Sequence, residues 1–450
     1  MTDKLLHDII KEAGLFGIDK QMPRLGDIEG LRPPDWIMEG PLYEIFVRNF
    51  TSAGTLKAVQ EKLDYIKDLG IKTIWLMPVH PIGKLGCKGT VGSPYAIRDY
   101  YEIDASLGTK AEFKELVNAV HRNGMKIILD LVANHAANDH VWTTDNPDWF
   151  ISAGDGHRIR KASDWTDVTD LNYENKELTR RMKHMIRYWV EEFDIDGYRC
   201  DVAGLVPLSF WEEIGEELQQ IKADVFMLAE WQSSGLHKKA FHATYDWVLY
   251  WILKDIRKQK RGVNDLVTWI NFKNILFPRH ALSLLFTENH DYPRTMDTFG
   301  SRSFFPFVAL LFFLKGIPLI YAGQENGARQ MPPLFDTDPL DWKMADGKVS
   351  AFYATMIKLR YQHPGFLKGD MDLSAQNNEK VLVIESSSAE KTIHIYFNFS
   401  AEAQTLSLSG NHPMVGVDLL TNQVFDAEQL KLDPYQIRIL DLVEDDLLMI

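Results

Sequence analysis

Four stretches of the chain end in side chains able to act on a substrate: Asp130-Leu131-Val132-Ala133-Asn134-His135, Gly197-Tyr198-Arg199-Cys200-Asp201, Ala229-Glu230-Trp231 and Glu288-Asn289-His290-Asp291. Each closes an apolar run of strand length. Asp201, Glu230 and Asp291 would therefore reach one place from three different strands. Arg199 stands two residues before Asp201, and the period of two puts both side chains on one face of a strand. Carboxylates gathered in this way repel one another, which raises at least one pKa and leaves a protonated acid beside an ionised partner. Glycosidic cleavage requires such a pair: one acid protonates the leaving oxygen, and one carboxylate attacks or activates water. Arg199 would hold the attacking carboxylate ionised by charge and paired hydrogen bonds. His135 and His290 could donate to sugar hydroxyls, and Tyr95 or the nearby tryptophans could stack on sugar faces.

Each residue also has a plainer reading. An Asp at a strand end often caps a helix. Arg199 and Asp201 could form a structural ion pair, His290 could be a satisfied loop histidine, and Cys200 reads as a small core residue. The carboxylates could instead hold a divalent metal for phosphoryl chemistry. But no Gly-rich phosphate loop follows a strand, and no paired histidines stand at zinc spacing. It is the recurrence at consecutive strand ends that favours the catalytic reading.

The elements that must place these residues alternate from Pro41 to about Gly323. Candidate strands are Tyr43–Val47, Thr73–Met77, Lys126–Val132, Gly197–Asp201, Val225–Glu230, Thr244–Trp247, Ser283–Thr287 and Pro318–Tyr321. Helical stretches lie between most of them: Leu56–Leu69, Lys110–Asn123, Lys176–Phe193, Pro207–Lys222, Val248–Gln259 and Phe304–Leu314. Leu56, Val59, Leu63, Ile66 and Leu69 recur at spacings of three and four, one buried stripe. Eight strands alternating with helices predict a parallel (β/α)8 TIM barrel with its site at the C-terminal strand ends; an open doubly wound sheet is the alternative.

Residues 35–370 would form the barrel and residues 1–34 a leader, with Leu5, Leu6, Ile9 and Ile10 as a docking face. The turn- and aromatic-rich stretch 135–172 (Trp142, Trp149, Trp165) would be an excursion, domain B, after strand three. Beyond residue 370 the period becomes two, as in Ile393, Ile395, Phe397 and Phe399, so 371–450 reads as an antiparallel β-sandwich.

Composition bounds the partners. Forty-nine Lys and Arg against 63 Asp and Glu give a net charge of −14, which disfavours nucleic acid and anionic membrane surfaces. Two cysteines, Cys87 and Cys200, exclude a disulfide framework. The longest apolar run, Phe304 to Leu314, falls short of the roughly 20 residues of a membrane helix. With no visible signal peptide, a cytoplasmic location is expected. Oligomeric state is not indicated.

The four stretches, in this order and spacing, resemble the short regions of the α-amylase family, glycoside hydrolase family 13. Asp170-Leu171-Asn172 and Gly316 to Glu325 are similar to two supplementary regions, and the C-terminal segment to the family's β-sandwich. The resemblance implies that Asp201 is the nucleophile forming a β-glycosyl-enzyme and Glu230 the general acid and then base. It implies that Asp291 stabilises the transition state and keeps Glu230 protonated, and that Arg199 orients Asp201. His135 and His290 would bind the sugar at the −1 subsite, with Tyr95 stacked under it. The implied reaction is cleavage of α-1,4-glucosidic bonds in maltooligosaccharides or starch-like glucans with retained configuration; the alternative is a 4-α-glucanotransferase. Retention calls for about 5–5.5 Å between the two acids, against roughly 6.5–9.5 Å for inversion. A catalytically dead relative would have lost these carboxylates. No cofactor is required for this chemistry. Asn134 and Asp170 match positions that bind calcium in some members, which leaves calcium open. Val202-Ala203-Gly204-Leu205 departs from the Lys-His of many secreted members, and the short excursion predicts an open, shallow cleft.

Overall fold

The computed structural model describes Asp8, residues 17–152, Ala162, 164–363, Phe366, 370–388, 392–408 and 414–443. Leu5, Leu6, Ile9 and Ile10 lie outside the described residues. Eight parallel strands close a barrel: β1 (Leu42–Ile45), β2 (Thr73–Leu76), β3 (Lys126–Leu131), β6 (Gly197–Cys200), β7 (Phe226–Ala229), β8 (Ala243–Tyr245), β9 (Leu282–Leu285) and β10 (Ile317–Tyr321). Between β3 and β6 run the short antiparallel partners β4 (His135–Ala137) and β5 (Val168–Asp170). The closed ring replaces the open-sheet alternative. Each strand coincides with an expected one to within a few residues.

The strands are apolar along their length because a ring strand is covered on both sides, by the filled interior and by outer helices. Ile127, Ile128, Leu129 and Leu131 of β3 are all buried. Register sets the site: Asp130 pairs with Arg199 across β3 and β6, and Cys200 with Ala229 across β6 and β7. Asp201 and Glu230 are the next residues on, so both emerge at the same height.

Three helical expectations change. The stripe from Leu56 to Leu69 is two helices, Leu56–Gln60 and Leu63–Asp68, because Lys62 leaves helical geometry (φ −99°, ψ 1°). Its apolar residues are nonetheless buried. Two of the longer helices went unseen, Val263–Leu276 and Gly347–Gln362. The helix Phe305–Phe313 is apolar on all sides and buried along nearly its whole length, the pattern of a helix without a solvent face.

The C-terminal part is antiparallel, as expected, but uneven. Strands β11 (Asp370–Gln376), β12 (Val381–Ser387), β13 (Thr392–Asn398), β15 (Met414–Asp418), β16 (Gln423–Ala427) and β18 (Ile437–Val443) form one six-stranded sheet. Strands β14 (Gln404–Ser407) and β17 (Gln429–Leu432) form a small second sheet. Val381, Val383, Tyr396 and Leu440 pack with Leu406, Leu408, Leu430 and Leu432 between the two sheets. The opposite face carries Leu382, Ile384, Ile395, Phe397 and Ile439, which join the barrel's own core.

Residues 17–34, expected as a leader, form a strap along the outside of the barrel. Leu31 N donates to His237 O (2.8 Å), Gly30 N to Arg279 O (2.9 Å), Gly26 N to Ile275 O (3.0 Å) and Gln232 N to Gly17 O (2.8 Å).

Candidate active site

Arg199 is the centre of the site. Its side chain is fully buried, with rings of Trp75, Tyr95 and Tyr245 at 5.1, 5.6 and 5.7 Å from the guanidinium carbon. Nη1 donates to both oxygens of Asp130 (2.9 and 3.1 Å) and to Asp201 Oδ1 (3.1 Å), and Nε donates to the Tyr245 hydroxyl (3.1 Å). Nη2 lies 2.6 Å from Glu230 Oε1. One cation thus faces three carboxylates, and a buried site cannot leave two of them uncompensated. A proton must therefore reside among them.

Burial and the neighbouring Glu230 charge push Asp201 well above the usual carboxylate range, against the pull of Arg199. Burial likewise lifts Asp130, to about 6, with Arg199 opposing. This corrects one expectation. Arg199 gives Asp201 one hydrogen bond rather than a pair; its two-oxygen contact goes to Asp130, and its charge is divided among three acids.

Glu230 is fixed from the opposite side by the Val202 amide, which donates to Oε2 (2.8 Å). That amide points inward because Val202 adopts a left-handed conformation (φ 37°, ψ 46°). For a β-branched residue this is strained, costing of order 1–3 kcal/mol. The strain sits one residue beyond Asp201, where it aims a donor at the second acid.

His290 joins the other members. Nδ1 lies 2.5 Å from Glu44 Oε1; Nε2 lies 2.8 Å from the Tyr95 hydroxyl and 3.2 Å from Asp291 Oδ2. Burial favours the neutral ring, but Asp291 and Glu44 outweigh it and raise its pKa well above the ordinary value. Those two carboxylates therefore favour the protonated ring. Burial also lifts Asp291, yet His290 and Arg199 outweigh that and set it below the usual range. The Asp291 side chain is 45% exposed and faces the cleft. Tyr95 donates to Asp130 Oδ2 (3.1 Å) and stacks on His290, with ring centroids 5.4 Å apart. His135 Nε2 is 3.9 Å from Asp201 Oδ2. The Asn134 amide nitrogen is 3.2 Å from His135 Nδ1, which leaves Nε2 to carry the ring proton toward the site.

All seven residues singled out in the sequence, Asp201, Glu230, Asp291, Arg199, His135, His290 and Tyr95, line one cavity or, for Arg199, lie beneath it. The cavity measures about 380 Å³, near the lower end for small-molecule sites. Sequence reasoning gave no role to Asp130, Tyr245, Trp75 or Glu44. Glu44 did carry a signal, a lone carboxylate inside the apolar run Leu42-Tyr43-Glu44-Ile45. The walls also include Leu334 and Phe335, from the segment after β10, and Gly17 of the strap. Trp165 borders the cavity, whereas Trp142 and Trp149 pack on each other, ring centroids 5.2 Å apart.

Asn134 and Asp170, the positions through which calcium entered the expectations, point at each other (Nδ2 to Oδ1, 3.4 Å). Among the described residues no three His, Cys, Asp or Glu side chains cluster to hold a metal ion.

The family profile for the alpha amylase catalytic domain matches residues 44–358, and that for a beta-galactosidase C-terminal domain matches residues 383–442. The maltogenic alpha-amylase AmyB of Thermotoga neapolitana superposes with a TM-score of 0.84 at 33% identity, covering 91% of this chain and 100% of that one. An alpha-amylase of Lactobacillus plantarum gives 0.83 at 32%, covering 90% and 99%. The alpha-amylase MalA of Haloarcula japonica is 27% identical over 87% of this chain and 59% of its own length. A barrel matched over most of its length and near-complete structural counterparts lead to one conclusion: the chain is an enzyme and belongs to the alpha-amylase family of glycoside hydrolases.

Proposed function

We propose that the enzyme cleaves α-1,4-glucosidic bonds of maltooligosaccharides or starch-like α-glucans by double displacement with retention. The observation that supports this best is the shared guanidinium: Arg199 holds Asp201 and Glu230 on adjacent nitrogens, facing one cavity. Asp201 would attack the anomeric carbon while Glu230 gives its proton to the leaving oxygen. Water would then enter, lose a proton to Glu230 and release Asp201. Attack requires Asp201 ionised and Glu230 protonated, so the proton shared among the acids must sit on Glu230 when the bond breaks. Asp291 would take sugar hydroxyls from its exposed position, with His135 and the His290 imidazolium donating to the same ring and Tyr95 forming its floor. The maltogenic relative supports short maltose-based products. We also place the enzyme in the cytoplasm, where thiols such as Cys87 and Cys200 stay reduced.

The test is a time course on maltotriose and starch followed by proton NMR. The first product formed should be the α-anomer. Asp201→Asn should keep the fold and lose activity by on the order of 10⁴-fold or more. A β-anomer appearing first would refute retention, and an active Asp201→Asn would refute the nucleophile.

A further inference from the structure

The strap reaches the catalytic mouth, and what it does there rests on the reading just proposed. At its upper end it forms a one-bridge parallel pairing with the segment after β7, Ile18 beside Gln232. Gly17 lines the cavity at φ 101°, where a side chain would strike the Trp247 ring at 2.8 Å. Asp19 Oδ1 accepts the indole N–H of Trp231 at 2.9 Å. Trp231 directly follows Glu230 and lines the same cavity. Its other constraint is Gly204: a Cβ there would sit 2.1 Å from the indole, so the ring lies flat on bare backbone three residues beyond Asp201.

The indole is therefore clamped between the turn after β6 and a carboxylate delivered by a segment remote in sequence. Its position fixes its use. A general acid stands on the leaving-group side of the bond it breaks, and Trp231 flanks that acid. We propose that Asp19 is a positioning residue: through its hydrogen bond it sets Trp231 as the wall against the sugar on the leaving side, the sugar that departs in cleavage and that returns as acceptor in transfer. In transfer, a hydroxyl oxygen of that sugar bonds to the anomeric carbon. The bond from that carbon to Asp201 breaks with its electron pair returning to the carboxylate, and the hydroxyl proton passes to Glu230. A sugar bound against a fixed wall has its hydroxyl oriented for that step; against a loose one it competes poorly with water.

The experiment compares two substrates of the full-length enzyme. Maltotriose must place a glucose on the leaving side. In α-maltosyl fluoride the carbon–fluorine bond breaks to give fluoride ion as the bond to Asp201 forms, and no sugar occupies that side. Asp19→Ala should lower kcat/KM for maltotriose by about tenfold and leave α-maltosyl fluoride within about twofold. Asp19→Asn keeps an acceptor oxygen for the indole and should restore maltotriose turnover. Gly204→Ala, which pushes the ring from the opposite side, should reproduce the Asp19→Ala pattern. Equal loss on both substrates would overturn the proposal by making the strap a general support, as would no loss on either. An unmutated enzyme inert toward both substrates would instead refute the α-glucan reading itself.

Discussion

A single guanidinium facing three carboxylates makes protonation the central variable of this site, and the same economy recurs at His290. There one imidazole is held between Glu44 and Asp291. Glu44→Gln keeps an acceptor for Nδ1 and removes one of the two charges that raise the imidazole's pKa. The imidazolium should then lose its proton at lower pH. The alkaline limb of the kcat/KM profile should move toward acid, and turnover at neutral pH should fall by about tenfold. An unmoved limb would mean that Asp291 alone sustains the charge. Sequence reasoning found the residues that stand at strand tips, Asp201, Glu230 and Asp291, because a polar residue ending an apolar run is visible along the chain. It gave no role to Asp130, Tyr245 or Glu44, which act through partners brought close only by ring closure. The division of Arg199 among three acids was illegible for the same reason, since period two relates it to Asp201 alone.

At the level of elements, periodicity revealed strands more completely than helices. Strands buried on both sides leave continuous apolar runs, whereas the helix Val263–Leu276 hides its buried residues (Val263, Leu266, Trp269, Phe272, Leu276) among apolar ones on its other faces, Val267, Ile270 and Ile275. The strap was unreadable as anything but a leader, because backbone hydrogen bonds to Gln232, Ile275 and Arg279 leave no mark in residue type. Helix Lys110–Arg122 shows local sequence at work. Thr109 accepts from the Glu112 amide while the Glu112 carboxylate accepts from the Thr109 amide, a reciprocal cap written as Thr109-Lys110-Ala111-Glu112. Thr109→Ala should cost about 1 kcal/mol in denaturant unfolding and leave kcat unchanged, since the cap lies at the start of an outer helix. A loss of kcat would show that this helix reports to the site.

For the molecule as a whole, the net charge of −14 is a statement about what it need not attract. A neutral glucan is not steered by that field, so kcat/KM for maltotriose should change by less than about twofold between low and high salt. A steep decline would point to a charged ligand. Among the described residues no helix is long and apolar enough to cross a membrane. The six-stranded sheet carries a different consequence. Phe397 and Phe399 abut Phe313 and Phe307 of the barrel's most apolar helix, while Leu406 and Leu430 press on the far side. Neither portion owns a complete interior. Grafting a foreign tail onto this catalytic half would succeed only by carrying over the aromatic seam as a matched set, so the join between the two portions, rather than either fold, limits how such enzymes can be recombined.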